Sequence, residues 1–414
     1  ATPPHDKAAY VVFMLLGVGS LLSWNAFVTA VDYYQYYFAK YHPDRSLPVS
    51  YMLVNVLTTG LIVAKGEAIE TNMRLKIGFW GSAVTMFMVP IINTLLVKDE
   101  GEGSGTMSAM ALTLVFAAII AVANGFVQGS LFGLCGPLPP EHTCAVLVGT
   151  AISGVCISML RIITKASFGD TPHGLRLGTF VYFMVGGAYS LLCVFLHASV
   201  VPKLKVVRWQ AARERGVSTD STPLMGNSVA AGKGLSSSDL QIDVKSGGEA
   251  EIRGDQLMSI FWRLWKHAGA VFVNYWVTLS IFPGVLAEDI QSAALKSWFS
   301  LVLITVYNIA DMIGKMVPEK YIMHHGSKLL AISFTRVVFI PTYAILVKYS
   351  LGDASFIIAT FFLGVTNGYL TTCPMSSAPT LFEPKEAEIA GTMMVLFLLS
   401  GLTIGAFSGY LWLL

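Results

Sequence analysis

Apolar runs of about 20 residues recur along this chain, and each is long enough to cross the hydrocarbon core of a membrane. Short polar turns separate most of them. Because backbone polar groups inside a bilayer must form their hydrogen bonds within the protein, runs of this length form helices. Hydrophobic residues make up 54% of the chain and charged residues 13%, and the mean hydropathy is +0.63. The sequence therefore predicts an all-α membrane protein.

We predict eleven transmembrane helices in two bundles, with six helices in the first bundle and five in the second. The predicted spans cover residues 9–34, 50–64, 77–97, 107–134, 145–168, 179–200, 265–287, 298–317, 329–348, 354–377 and 389–413. The first bundle occupies residues 1–201 and the second occupies residues 263–414, with a linker over 202–262.

The linker has a basic beginning, PKLKVVRWQAARERG, and a stretch rich in Ser and Gly. It contains too few bulky apolar residues to fold alone, so we expect it to be largely disordered. Its basic residues place it in the cytoplasm, and the basic loop after the second span places the N-terminus there too. An odd number of spans then places the C-terminus on the extracellular or lumenal side.

A polar stripe interrupts the apolar run from Trp298 to Pro318. Asn308, Asp311 and Lys315 are three and four residues apart, so they share one face of a helix. A charged side chain near the middle of a membrane helix costs roughly 2.5–3.5 kcal/mol and normally faces a bundle interior or a water-filled cavity. The stripe indicates a polar path, although an ion pair that only fixes helix packing would give the same pattern.

Polar or aromatic side chains also stand out in two spans of the first half. Trp24 lies beside an intramembrane Asn25, where its ring either stacks on a flat ligand or packs against the protein. Asn124 and Gln128 are one helical turn apart. Their amides either face a ligand or form hydrogen bonds with a neighbouring helix.

Small residues recur every four positions in the fourth and the last predicted spans, at Gly125, Gly129 and Gly133 and at Gly401, Gly405 and Gly409. Such ridges allow two helices to approach closely. Two further expectations concern the membrane surface. The tyrosines that follow the first span form an interfacial belt, and Arg161 either extends towards the outer surface or faces the lumen.

Several motifs together resemble one family, the equilibrative nucleoside transporters, and most closely its plant branch. In chain order the motifs are GVGSLLSWNAF, NGFVQGSLFGL, SIFPGV, YNIADMIGK, RVVFIP and TNGYL followed by EPKEAEIAGTMM. The resemblance covers almost the whole chain except the linker. It implies a fold similar to the major facilitator superfamily, with the two bundles enclosing a central cavity.

The resemblance also implies a substrate-binding set. Trp24 and Gln128 match the family's cavity Trp and Gln, which are expected to bind the base, and Asn308 and Asp311 match its polar residues in span eight. Lys315 stands where many members have Arg, and a Lys lacks the bidentate geometry of a guanidinium.

An outer gate is implied as well, formed by Val28 and Pro283. Ser23 replaces the Pro that usually precedes the Trp, and Val28 stands where a longer Met is common. The side chains that could close this gate are therefore smaller.

The sequence thus predicts an alternating-access nucleoside transporter and not an enzyme, because its predicted spans contain no HExxH motif or paired acidic cluster. Alternatives are facilitated diffusion in place of proton coupling, and the same fold transporting nucleobases or organic cations. We expect proton coupling through Asp311, whose charged form is disfavoured by burial and favoured by Lys315. Expected partners are a nucleoside and the lipid bilayer. No cofactor, metal or nucleic acid is expected, and the protein is expected to be a monomer in the plasma membrane or an internal membrane such as the vacuolar one.

Overall fold

The structure is a computed structural model that describes residues 6–65, 69–96, 101–169, 171–214, 254–282, 292, 294–295 and 298–409. Every regular element in these ranges is a helix. The α-helices are α1 (Lys7–Thr29), α2 (Val31–Phe38), α3 (Pro43–Lys65), α4 (Thr71–Leu96), α5 (Met107–Cys135), α6 (Pro140–Phe168), α7 (Pro172–Phe195), α8 (Lys205–Glu214), α9 (Gly254–Ile281), α10 (Phe299–Met316), α11 (Gly326–Thr335), α12 (Phe339–Tyr349), α13 (Gly352–Ser377) and α14 (Pro384–Ser408).

Ten helical segments in the described part of the chain are long and apolar enough to span a membrane. They correspond to ten of the predicted spans, with α11 and α12 together forming one of them. The remaining predicted span is α9, which has 28 residues but includes Lys266, His267 and Asn274. The multi-span helical class is confirmed, and the count of eleven stays a prediction.

A capping side chain marks the start of the first helix. The carboxylate of Asp6 caps α1 by accepting a hydrogen bond from Ala9 N at 3.2 Å, and it also accepts one from Lys205 N at 2.9 Å. Burial alone would raise the pKa of Asp6, but these backbone hydrogen bonds outweigh it and lower the pKa. Asp6 therefore joins the start of α1 to the start of α8.

The described ends of the predicted linker are helical. α8 follows the sixth predicted span, and Leu204 and Val206 beside it are buried in the main apolar cluster. At the other end, α9 begins at Gly254, nine residues before the predicted boundary at 263. Residues 215–253 lie outside the described residues.

Glycines bring several helix pairs into backbone contact. A side chain on Gly17 or Gly149 would overlap the facing backbone between α1 and α6, and one on Gly314 or Gly368 would do the same between α10 and α13. The predicted ridges make contacts of this kind: Gly133 faces Thr392 of α14, and Gly401 faces the backbone of α9.

Helix packing divides into two groups. In the first half α1 packs on α6, and α5 packs on α3 and α4, while in the second half α9 packs on α11 and α14, and α10 on α13. The groups meet where α6 contacts α10 and where α3 and α5 contact α14. The bundle boundaries at 1–201 and 263–414 stay a prediction.

Polar contacts join the two halves at the end of the molecule where α1 begins. Glu388 at the start of α14 accepts a hydrogen bond from Thr71 at 2.5 Å and lies 3.8 Å from the Arg74 guanidinium. The Tyr10 hydroxyl donates to Glu319, just after α10. In this conformation, polar contacts therefore connect the two halves at the end that we predict to be cytoplasmic.

Two sequence expectations at the opposite end are wrong. Tyr33, Tyr34 and Tyr37 are at most 3% exposed and pack in an apolar cluster instead of forming an interfacial belt. Arg161 is 6% exposed and pairs with Asp32. The Asp32 side chain, itself 45% exposed, pairs with the buried guanidinium, and a buried charge is stable only when it is paired.

Candidate functional site

A cavity lies between the two helix groups and includes about 1170 Å³ of atom-free space, part of which is open to solvent. Helices α1, α3, α5, α6, α9, α10, α13 and α14 contribute side chains to its wall. Five predicted binding residues and one predicted gate residue line it: Trp24, Gln128, Asn308, Asp311, Lys315 and Val28. Residues that are far apart in sequence thus meet around one space.

The cavity wall includes a buried ion pair. Lys315 Nζ lies 2.8 Å from Asp311 Oδ2, and the two side chains are one helical turn apart on α10. Lys315 also donates a hydrogen bond to Thr150 Oγ1 of α6 at 3.1 Å, and Asp311 Oδ1 accepts one from Asn367 Nδ2 of α13 at 2.7 Å. The pair thus both lines the cavity and connects α10 to both neighbouring helices.

Asn308 shares the predicted face of α10 and is tied to the first half of the chain. Its amide donates to Ser158 Oγ at 2.8 Å and to the Gly154 carbonyl at 3.2 Å, both on α6. Asn308 therefore joins the two helix groups and also lines the cavity between them.

Trp24 forms part of an aromatic wall. Its ring stacks on Tyr51 of α3, with ring centroids 4.0 Å apart and planes inclined by 22°. The Tyr51 hydroxyl accepts a hydrogen bond from Asn124 Nδ2 at 2.6 Å. Packing against the protein, one of the two interpretations of Trp24, thus holds in this conformation, while the side chain also lines the cavity and its stacking on a ligand stays a prediction.

The two amides of α5 have different roles. Asn124 is fully buried and bonds to Tyr51 on α3 and Ser82 on α4. Gln128, one turn later, lines the cavity and has no hydrogen-bond partner among the described residues. Helix-to-helix bonding, which was one interpretation of both residues, holds for Asn124, whereas the Gln128 amide is available to a ligand.

Only half of the predicted gate falls within the described residues. Val28 lies in the last turn of α1 and lines the cavity. Pro283 lies outside the described residues. Phe282, immediately before it, stacks on Tyr307 of α10 with centroids 4.5 Å apart and also lines the cavity.

Sequence reasoning missed several cavity residues, including Tyr51, Thr150, Tyr275, Tyr307 and Asn367. Asn367 had a usable signal, because it is an amide within an apolar span, as Asn308 is. The tyrosines and Thr150 had none, since such residues are common in membrane helices and their partners are distant in sequence.

Comparison with curated proteins identifies relatives over nearly the whole chain. The chain is 34% identical to equilibrative nucleotide transporter 8 of Arabidopsis thaliana over 412 residues, which are 99% of this chain and 96% of that protein. It is 35% identical to equilibrative nucleotide transporter 3 of the same organism over 410 residues, covering 98% of this chain and 94% of that protein.

Solved structures with a similar fold belong to the major facilitator superfamily. The proton:xylose symporter XylE matches with a TM-score of 0.60 at 9% identity, over 99% of this chain and 90% of that chain. The human organic anion transporter MFSD10 matches with a TM-score of 0.54 at 14% identity, over 99% and 95%. At these identities the likeness establishes the fold alone, and it confirms the predicted fold class.

The family model described as "Nucleoside transporter" matches residues 114–414. This match covers all of the second half, and most of span four and all of spans five and six in the first half. Together with the relatives, it marks the protein as a membrane carrier and not an enzyme. The chain belongs to the nucleoside transporter family.

Proposed function

We propose that this protein carries nucleosides across a membrane by alternating access, and that the cavity between its two helix groups is the substrate site. The main support is that an aromatic stack, an amide and a polar helix face line one space. A nucleoside needs an aromatic surface and amide groups for its base, and hydrogen-bonding polar groups for its ribose hydroxyls. Trp24, Gln128, Asn308, Asp311 and Lys315 supply these groups.

The charges of the cavity favour a nucleoside over a nucleotide. Asp311 and Lys315 are the charged residues among its described lining, and they lie within 2.8 Å of each other. Their charges cancel, so a phosphate group entering the cavity would find no unpaired cation and would face the Asp311 carboxylate. The cavity thus suits a neutral ligand, although the relatives in Arabidopsis have nucleotide in their names.

The same balance argues against the organic-cation alternative, because the one carboxylate in the described lining is already paired with Lys315. Nucleobases remain the closer alternative, since they need the aromatic and amide groups but no ribose contacts. Uptake of radiolabelled uridine and adenosine into proteoliposomes, with unlabelled adenosine, AMP, adenine and tetraethylammonium as competitors, distinguishes these substrates. We expect adenosine to compete strongly and AMP and tetraethylammonium not to compete.

Proton coupling through Asp311 is the second part of the proposal. Asp311 is 6% exposed, lines the cavity and is held by donors on two helices. A substrate that changes the distance between Asp311 and Lys315 would change the proton affinity of the carboxylate, which would link binding to protonation.

An imposed pH gradient tests the coupling. Acid outside the vesicle should drive accumulation of nucleoside by the unmutated protein, and Asp311→Asn, which cannot titrate, should lose the response to the gradient. Uptake by the unmutated protein that ignores the gradient would indicate facilitated diffusion. An equal response in Asp311→Asn would assign the proton to another residue.

The remaining parts of the proposal concern the protein's surroundings. We place the N-terminus in the cytoplasm and the C-terminus on the opposite side, with the plasma membrane as the site of action and an internal membrane such as the vacuolar one as the alternative. The charge difference between alternate loops supports this orientation. We further propose that the protein acts as a monomer and uses no cofactor apart from the coupled proton.

A further inference from the structure

A buried arginine lies behind the cavity wall and takes no part in the site described above. Arg336, between α11 and α12, is 2% exposed. Its donors bond to Thr366 Oγ1 at 3.1 Å, the Asn274 carbonyl at 2.7 Å, Thr278 Oγ1 at 3.0 Å and the Leu363 carbonyl at 2.9 Å, and also to Asn274 Oδ1. No carboxylate of a described residue pairs with it. Neutral oxygens alone therefore hold this guanidinium.

The hydrogen bonds of Arg336 fix the orientation of the first amide. A guanidinium can only donate, so the Asn274 atom that contacts Arg336 Nη1 must be the amide oxygen. Asn274 Nδ2 then points the other way and donates to Asn367 Oδ1 at 3.1 Å. The orientation of Asn274 follows from chemistry and not from a choice between two similar atoms.

The second amide is fixed in turn, and from two directions. Asn367 Oδ1 accepts from Asn274 Nδ2 and also from Thr278 Oγ1, at 2.9 Å. The Thr278 hydroxyl accepts from Arg336, so its single proton points away from the guanidinium, where Asn367 Oδ1 and the Asn274 carbonyl both lie 2.9 Å away. Asn367 Nδ2 therefore faces Asp311 Oδ1 and donates to it at 2.7 Å.

Both oxygens of Asp311 thus face a hydrogen-bond donor. Asn367 Nδ2 contacts Oδ1 and Lys315 Nζ contacts Oδ2. Two donors on one carboxyl group favour its charged form over its protonated form. Asn367 cannot rotate its amide without breaking its two bonds to α9.

We propose that Arg336 is a positioning residue that acts through Asn274, Thr278 and Asn367 to keep a hydrogen-bond donor on Asp311, and so lowers the pH at which Asp311 takes up a proton. The proposal rests on the proposed role of Asp311 in proton coupling. It gives a role to Arg336, a buried charge that does not line the cavity.

The other ionisable groups facing Asp311 must be separated from this effect. Lys315 on the same helix is its ion-pair partner, and Tyr307 of α10 and Tyr275 of α9 are close enough to interact with its charge. Arg336 also acts on Asp311 through its own positive charge. A variant that leaves all these charges in place is therefore the decisive one.

Thr278→Val is that variant, and Thr366→Val is its matched control. Each removes one hydroxyl that accepts from Arg336, and each leaves every charge unchanged. Both hydroxyls contact a carbonyl one turn back on their own helix, but only Thr278 also reaches Asn367, the residue that donates to Asp311. Arg336→Met removes the donor and the charge together and should have the largest effect.

The experiment is a pH titration of the purified protein followed by infrared difference spectroscopy, with the protonated-carboxyl band of Asp311 identified by its absence in Asp311→Asn. A hydrogen bond to a charged group is worth ~1.5–3 kcal/mol, or about one to two pH units. We expect the midpoint pH of Asp311 protonation to rise by about half a pH unit in Thr278→Val, because Asn274 still holds the Asn367 amide in this variant. In Arg336→Met the midpoint should rise by at least about one pH unit. Thr366→Val should leave it unchanged.

An unchanged midpoint in Thr278→Val, or an equal rise in Thr366→Val, would overturn the proposal. The two threonine variants decide it even if Arg336→Met fails to fold. If the unmutated protein moves no nucleoside, the proposed function fails, but the infrared titration does not depend on transport and still decides the role of Arg336.

Discussion

Trp24 and Tyr51 form one stacked pair in the cavity wall, so a base must either use the free face of this pair or separate its rings. Trp24→Ala should weaken nucleoside binding about tenfold or more, because a base stacked on an aromatic side chain gains ~1–3 kcal/mol. Isothermal titration calorimetry with adenosine measures this change. Trp80→Ala is the control, since Trp80 of α4 is 51% exposed on the outside of the bundle. Equal affinity in Trp24→Ala and the unmutated protein would exclude Trp24 from the site.

Asn124 and Gln128 offer a second pair of variants, one helical turn apart on α5. Gln128→Ala should weaken nucleoside binding with little change in the melting temperature, because the Gln128 amide bonds to no described residue. Asn124→Ala should lower the melting temperature, because it removes the buried hydrogen bonds to Tyr51 and Ser82. Calorimetric binding and thermal unfolding on both variants would show the contrast. A loss of stability in Gln128→Ala without any loss of binding would contradict our assignment.

At this scale, helical spacing explains what the sequence could predict. Asn308, Asp311 and Lys315 were placed on one face correctly, because residues three and four apart always share a helix face. The partners of these residues were not predictable, since Thr150 and Asn367 come from helices elsewhere in the chain. Local spacing has no information about which helices meet. The burial of Arg161 was missed for the same reason, because its partner Asp32 lies 129 residues away.

At the scale of helices, the contact between α10 and α13 sets the geometry of the ion pair. The added methyl group in Gly368→Ala would overlap the Asp311 carbonyl oxygen. The helices would have to separate, which costs about 1–3 kcal/mol and pulls Asn367 away from Asp311. We expect a lower melting temperature and slower nucleoside uptake. Gly60→Ala is the control, because its nearest neighbour would be Leu396 at 3.7 Å. A neutral Gly368→Ala would show that this contact does not constrain the site.

Helices were predictable as elements because each apolar run of membrane length must form its backbone hydrogen bonds internally. Helices that bury polar side chains were harder to predict. The tyrosines of α2 resemble an interfacial belt in sequence, but the helix folds back into the bundle and buries them. Likewise, the amides and charges of α9 lower its hydropathy although His267 and Asn274 face inward. A buried polar network thus obscures the signal that identifies a span.

At the scale of the whole molecule, the arrangement of the two halves predicts the topology. An epitope tag within the 218–238 stretch should be cytoplasmic, and a tag after Leu414 should be on the opposite side. Antibody labelling of intact and permeabilised cells measures both positions. A tag inserted at 101–105, between α4 and α5, should label like the C-terminal tag. Labelling of the 218–238 tag and the C-terminal tag from the same side would contradict the eleven-span arrangement.

Nucleoside transport through the cavity between the halves is the central claim, and uptake by the purified protein tests it most directly. Proteoliposomes containing the unmutated protein should take up radiolabelled uridine and adenosine saturably. Gln128→Ala at the same protein density should shift the half-saturating concentration upward by about tenfold, the effect of ~1.4 kcal/mol of lost binding. Folded protein that moves neither nucleoside above the rate of empty vesicles, or uptake that is identical in Gln128→Ala, would contradict the account.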